Sequence, residues 1–352
     1  MKGADMTGLR TWSVPLIFCI LCIPGLFFSG MSAEFVAGEV VTRFIRDGVM
    51  VLALIIPISA GMGLNFAIVV GAICAQIGLI LAVDYQMSGM TGLLFIAVIG
   101  VLLSLIAGWL IGVCLNRVRG REMITTIIIG FVCTSIYQLI FMAGYGTVIT
   151  PDNTEMMLSR GIGIRNMIDL EMLRNILDNI WVVRVGDIEF PLFMIGLVFF
   201  FALAVFYISK SRLGLQFRAI AEDPLKAGMN GINVDRVRIK AIVISTVLAC
   251  LGHILYIQNI GMLNVYTAHL NTDVFSCAAL LAGGATLYRA DIRHAFIGIL
   301  LFHSLFIVSP QAGQNLFGNP ALGEYFRSFV AYGTIAFALM MSSLSSVGKR
   351  VG

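Results

Sequence analysis

The chain has 352 residues, 59% of them hydrophobic and 12% charged, with a formal net charge of +4 and a mean hydropathy of +0.96. A water-soluble chain carries roughly a quarter charged residues, so an ordinary soluble domain is excluded. The apolar residues fall in blocks that match the about 20 residues of helix a bilayer requires. The expected fold class is therefore all-α, a polytopic membrane helical bundle forming a single domain over residues 1–352.

The first block, 12–28, follows Lys2 and Arg10. It is long for the apolar region of a signal peptide, and the small residues after it make a poor cleavage site, so it reads as a retained first span. Further blocks near 42–60, 64–83, 92–115 and 123–143 complete a first half, and 190–209, 239–259, 274–288, 294–310 and 325–343 form a second. That makes ten candidate spans. With the N-terminus in the cytoplasm, 16 of the 23 lysines and arginines fall on the inner side, as the positive-inside rule demands. Both termini are then inside, and two halves of five spans cross the membrane in opposite senses.

The third span carries Ala67, Gly71 and Ala75, and the fourth Gly100, Ser104, Gly108 and Gly112. Lipid tails are as apolar as leucine, so membrane helices gain by close backbone approach along such stripes of small residues. Two places read as broken helix: Ser59–Asn65, with Gly61 and Gly63, ahead of the third span, and Gly283-Gly284 in the eighth. Glycine-interrupted segments at corresponding positions of inverted halves point to a transport path. Asn65, Gln76, Gly283 and Gly284 are the residues this reading nominates. Gln138, Gln258, His253 and His303 also fall inside spans, where interhelical hydrogen bonding is the simpler expectation. His269 and His294 lie at span ends.

The longest outer segment, 144–189, contains Arg165–Val183. There Met167, Leu170, Leu173, Ile176 and Leu177 share one face of an expected amphipathic helix. The loop 210–240 holds seven cations and, within it, RAIAEDPLKAGMNGINVDRV (218–237). Asp223 is placed to cap a helix whose first residue is Pro224. Gly231 can end it in a left-handed turn, with Leu225 and Met229 on one face and Ile232 just beyond. The seven cysteines all lie in or at the ends of apolar blocks. Cys19 and Cys22 lack the second pair a metal site would need. The histidines have no ligand spacing, and no phosphate-binding G-x-x-x-x-G-K-[ST] loop occurs.

The stretch RLGLQFRAIAEDPLKAGMNGINVDRVRIKA (212–241) resembles the cytoplasmic loop of inner-membrane ABC importer permeases for ribose-type simple sugars, a group that includes branched-chain amino acid and nucleoside permeases. GMGLNFAIVVGAICAQIG (61–78) and AALLAGGATL (278–287) support the resemblance in the same order along the chain. The chain departs from that pattern at Gly63 and Asn65, where the sugar branch often has an acidic residue and a serine. It departs again at Arg289-Ala290, in place of a second glycine pair.

The resemblance implies a helix at 222–232 that docks on a separate cytoplasmic ATPase. Arg218, Glu222, Asp223, Pro224, Leu225, Lys226, Ala227, Gly228, Met229, Gly231 and Ile232 would form that handle. It also implies that ATP and magnesium are used by the ATPase while this chain binds no cofactor. An external solute-binding protein, a second permease copy or paralogue, and the lipid of the inner membrane would be its partners, with no nucleic acid. A simple sugar is the first expected solute, a nucleoside or branched-chain amino acid the alternative. An ion-gradient transporter is disfavoured because the acidic residues sit in loops or at span ends. An intramembrane enzyme lacks a catalytic constellation.

Overall fold

The computed structural model describes residues 3–159, 161–185 and 188–350. Lys2 lies outside them, as do the side chains of Arg10, Lys349 and Arg350 among the cations assigned to the inner side. The described residues form α1 (Gly3–Ser29), α2 (Ala33–Ala53), α3 (Ile55–Ser59), α4 (Ile68–Asp84), α5 (Gly89–Arg117) and α6 (Glu122–Leu139) in the first half. In the second they form α7 (Leu192–Lys210), α8 (Arg212–Glu222), α9 (Pro224–Met229), α10 (Val234–Gln258), α11 (Thr272–Ala282), α12 (Ile292–Phe317) and α13 (Pro320–Arg350). Each of the ten apolar blocks coincides with helix, and α8 and α9 occupy the basic loop.

Among the described residues, α5, α6 with its π-helical extension to Gly144, α7, α10 and α12 are long and apolar enough to cross a membrane. The apolar part of α1, together with α4 and α11, is shorter. The chain is thus a helical membrane protein.

Helix α10 is the axis of the bundle, buried against α2, α4 and α5. Glycine makes this possible. A Cβ added at Gly71 of α4 would stand 2.5 Å from the Thr246 carbonyl oxygen, and one at Gly108 of α5 2.9 Å from Val243 Cα. At Gly112 the obstacle is Ile239 Cα, again at 2.9 Å. Ser104 completes the stripe, its hydroxyl turned back to donate to the Gly100 carbonyl at 2.7 Å. The expected close-packed stripes therefore face α10. The opposite face of α5, with Leu94, Val98, Leu102 and Trp109, is exposed and apolar, as a surface bathed in lipid requires.

The segment between α6 and α7 is not the expected amphipathic helix. It folds as β1 (Met167–Asp169), three single 3₁₀ turns and the hairpin β2 (Val182–Val185) with β3 (Ile188–Pro191). Strand β1 pairs antiparallel with β4 (Met262–Asn264), with Ile168 opposite Leu263. Leu170, Leu173 and Leu177 are buried as the apolar pattern demanded, but irregular backbone carries them. The reason is a set of competing bonds. The Asp169 carboxylate takes the Glu171 amide at 2.9 Å, and Asn175 adopts a left-handed conformation with φ of 54°. The Asn175 amide then donates to the Gln258 carbonyl at 2.8 Å, and the Leu177 amide to the Gln258 side chain at 2.7 Å. A second strap runs to the end of α4, where Asp84 accepts the amides of Asp152 and Asn153, each at 3.0 Å. This layer covers the end of the bundle opposite the basic loop.

Candidate functional site

Two features stand out at the basic end, and they touch. The first is the α8–α9 pair. Ser211 caps α8, and Phe217 and Ile220 bury its inner face. Asp223, in extended conformation, accepts the amides of Leu225 at 3.0 Å and Lys226 at 3.2 Å. Its carboxyl is held below the usual carboxylate range, first by the Lys226 amide and further by that of Leu225. Pro224 occupies the first helical position. The helix closes after Met229, and Gly231 follows with φ of 79°.

Leu225 is 81% exposed and Met229 88%. Two large apolar side chains one turn apart thus stand free, an arrangement expected of a surface that meets a partner. Lys226 and Gly228 are exposed beside them, Arg218 and Glu222 lie exposed on α8, and Ala227 is buried beneath. Ile232 differs from the expected face. Its amide turns back to the Ala227 carbonyl at 3.1 Å, and its side chain packs partly buried against the core.

The second feature is a groove of about 740 Å³ between α6, the break before α4, the start and end of α11, and α13. Gly61, Met62, Gly63 and Phe66 from the first break line it, as do Leu287 and Tyr288 from the turn that follows Gly283-Gly284. Both broken segments therefore reach one groove, although the four nominated residues do not line it. Asn65 is buried, donating to Ser245 at 3.3 Å and accepting the Ala67 amide at 3.1 Å. Gln76 is buried and bonded to His269 Nδ1 at 2.9 Å. Gly283 ends α11 against α12, where an added Cβ would stand 2.7 Å from the Gly298 amide nitrogen. Gly284 supplies a left-handed residue with φ of 91°.

Asp273, in the first turn of α11, faces the groove, together with Tyr332 and Met123. Sequence reasoning missed Asp273 because nothing local shows that α11 begins part-way through the bundle. His269, expected to be unremarkable at a span end, is fully buried and packs edge-on against Tyr137 with ring centroids 4.9 Å apart. Among the other intramembrane polar groups, Gln138 bonds the Tyr266 carbonyl at 3.0 Å and His303 meets Asp47 at 3.2 Å. Asp47 lies within α2, so one acidic residue does sit inside the bundle rather than in a loop or at a span end.

The α8–α9 pair and the groove meet at Gly61, where an added Cβ would lie 2.7 Å from Ala221 Cα. The end of α8 rests directly on the first helix break. A displacement of α9 has a short mechanical route to the groove wall.

A family model described as branched-chain amino acid transport system / permease component matches residues 23–341. The high-affinity branched-chain amino acid transport system permease protein BraD of Pseudomonas aeruginosa is 25% identical over 167 residues, 47% of this chain and 50% of BraD. The nucleoside ABC transporter permease protein NupC of Lactococcus lactis subsp. cremoris is 30% identical over 150 residues, 42% of this chain and 44% of NupC. The probable ABC transporter permease protein YphD of Escherichia coli is 29% identical over 164 residues, 46% of this chain and 47% of YphD. The chain spans about half the length of the curated relatives it matches, and no solved structure matches it. The match over residues 23–341, on a bundle with this capped helix and these paired breaks, means that the chain belongs to the branched-chain amino acid transport system permease family.

Proposed function

We propose that the chain is the membrane-spanning permease subunit of an ATP-driven importer for a small polar solute, a simple sugar of the ribose type. In this reading all ten apolar helices span the inner membrane, both termini are cytoplasmic, and the halves are inverted. Helix α9 docks on a separate ATPase, which uses ATP and magnesium, while an external binding protein delivers the solute. The groove becomes a closed path when a second permease copy or paralogue faces it.

The observation that carries the reading is the outward pair Leu225 and Met229 on a capped helix whose neighbour rests on Gly61 at the groove. Closure of an ATPase dimer would pull α9, and Ala221 would move the break that lines the path. The groove supports a neutral, hydroxyl-rich solute. Its walls are largely apolar and aromatic, with Asp273, Tyr288, Tyr332 and Arg121 as hydrogen-bonding groups and Glu122 already paired with Arg238.

The test is Gly228→Glu, since a Cβ there meets nothing within 4 Å and the fold tolerates the change. A P-loop ATPase should co-purify with the wild-type chain from its native membrane and be lost with the variant. Absence of an ATPase from folded wild-type protein overturns the reading. Uptake of labelled ribose, a nucleoside and leucine by the reconstituted complex then separates the solutes, and ribose is expected to be taken up.

A further inference from the structure

A second groove of about 870 Å³ opens at the basic end between α3, the end of α7, α8 and the turn after α11. Lys210, Arg218, Arg289 and Arg293 line it, opposed by the carboxylates of Glu222 and Asp291. Arg289 reaches Asp291 at 3.8 Å. Lys210, Arg218 and Arg293 make no ion pair among the described residues. The groove therefore holds a surplus of free positive charge.

Its position narrows the ligand. Helix α7 is long enough to cross a membrane, and its outward face, with Phe199, Phe200, Leu203 and Tyr207, is exposed and apolar. Lys210 ends that helix with its ammonium 5.7 Å over the Phe206 ring. A lysine in the last turn of an apolar helix, its ammonium over an aromatic face and its stem against apolar surface, suits the edge of the hydrocarbon layer. The cations thus gather at headgroup depth, and Ile55, Phe206 and Ile292 continue the wall as an apolar surface. Basic pockets between spans on this side of a membrane suit anionic lipid headgroups. A choline headgroup would bring a cation of its own into an already positive groove.

We infer that this groove binds the headgroup of an anionic phospholipid, with its acyl chains lying along the exposed face of α7. The bound phosphate bridges α8 to the turn at 289–293. Because Ala221 of α8 rests on Gly61, the lipid braces the element that carries α9. The inference rests on α7 being a span, and on neither the solute nor the ATPase.

The test is native mass spectrometry of the full-length detergent-solubilised chain titrated with phosphatidylglycerol or phosphatidylcholine. A variant carrying Lys210→Gln, Arg289→Gln and Arg293→Gln is compared with wild type, and the single charge reversal Lys210→Glu is the second variant should the triple one fail to fold. Phosphatidylglycerol should bind the wild-type chain at least roughly tenfold more tightly than phosphatidylcholine, and the variants should lose most of that preference. Millimolar inorganic phosphate should not release the lipid. Equal binding of the two lipids, or an undiminished preference in the variants, overturns the assignment. Release by phosphate overturns it in favour of a free anion. A variant that keeps the lipid preference but loses a co-purifying ATPase overturns it in favour of a protein contact.

Discussion

Arg238 at the start of α10 and Glu122 at the start of α6 form an ion pair at 2.6 Å, with side chains only 6% and 12% exposed. Arg238 also donates through Nε to the Asn116 side chain at 3.1 Å, so a single guanidinium ties the ends of α5, α6 and α10 together. Removing one partner of an enclosed pair leaves an uncompensated charge, at a cost of about 3–5 kcal/mol, whereas replacing both with apolar groups of similar volume is often neutral. Arg238→Met should therefore lower the thermal midpoint in detergent sharply, and so should Glu122→Met. The double variant should recover most of the loss. A double variant as unstable as the singles would show that the uncompensated charge is not what destabilises them.

The glycine stripes predict a contrast between two positions of the same residue type. At Gly71 an added Cβ would approach Ala249 Cβ at 2.8 Å and the Cys250 amide nitrogen at 2.9 Å, whereas at Gly196 it meets nothing within 4 Å. Overpacking of a close-packed interior costs about 1–3 kcal/mol. Gly71→Ala should destabilise by that order and Gly196→Ala should be neutral or slightly stabilising, because alanine favours helix. Thermal unfolding followed by circular dichroism measures both.

What could be read from the sequence divides along the range of the interactions. Asp223-Pro224 announced its helix correctly because capping is completed within three residues. The stripe from Gly100 to Gly112 announced an interface because only one kind of contact rewards such spacing. Arg165–Val183 failed for the opposite reason. Its apolar spacing fits a helix, but the Asn175 and Leu177 amides are claimed by Gln258, some eighty positions along the chain. No local pattern records that claim. The path residues fall between these cases. The broken segments were found, yet Asn65 and Gln76 point inward to Ser245 and His269, while neighbours such as Phe66 line the groove. Sequence located the break and could not orient it.

The cap on α9 has a pH dependence whose sign is fixed by its geometry. The Asp223 carboxyl is held below its ordinary value of 3.8 by the Lys226 and Leu225 amides. A depressed carboxyl stabilises the folded helix above the ordinary value, and the contribution is lost as pH falls through the lowered one. Hydrogen exchange at Leu225 and Lys226, corrected for intrinsic rates, should thus show constant protection from neutral pH down to about 5, then a decline in acid. Asp223→Asn should keep the protection at all of these values, since asparagine caps as well, and Asp223→Ala should lose it throughout. Protection in the alanine variant equal to wild type would mean that packing of Ala227, rather than the cap, sets α9.

Asp273 supplies the sharpest test of the groove as a path. It begins α11 behind Asn271, a left-handed residue with φ of 62°, and it faces Tyr288 and Tyr332 across a largely apolar space. A carboxylate can accept two hydroxyl hydrogen bonds from one solute, and a charge-assisted bond is roughly twice as strong as a neutral one. Asp273→Asn preserves size and the helix start but surrenders that strength. The reconstituted complex should keep its ATPase and its thermal midpoint while solute-stimulated uptake falls by about tenfold, the equivalent of one such bond. Tyr207→Phe, at an exposed position on α7 away from the groove, should leave uptake unchanged. Full uptake in Asp273→Asn would move the path away from this groove. Equal loss in both variants would trace the defect to assembly rather than to passage.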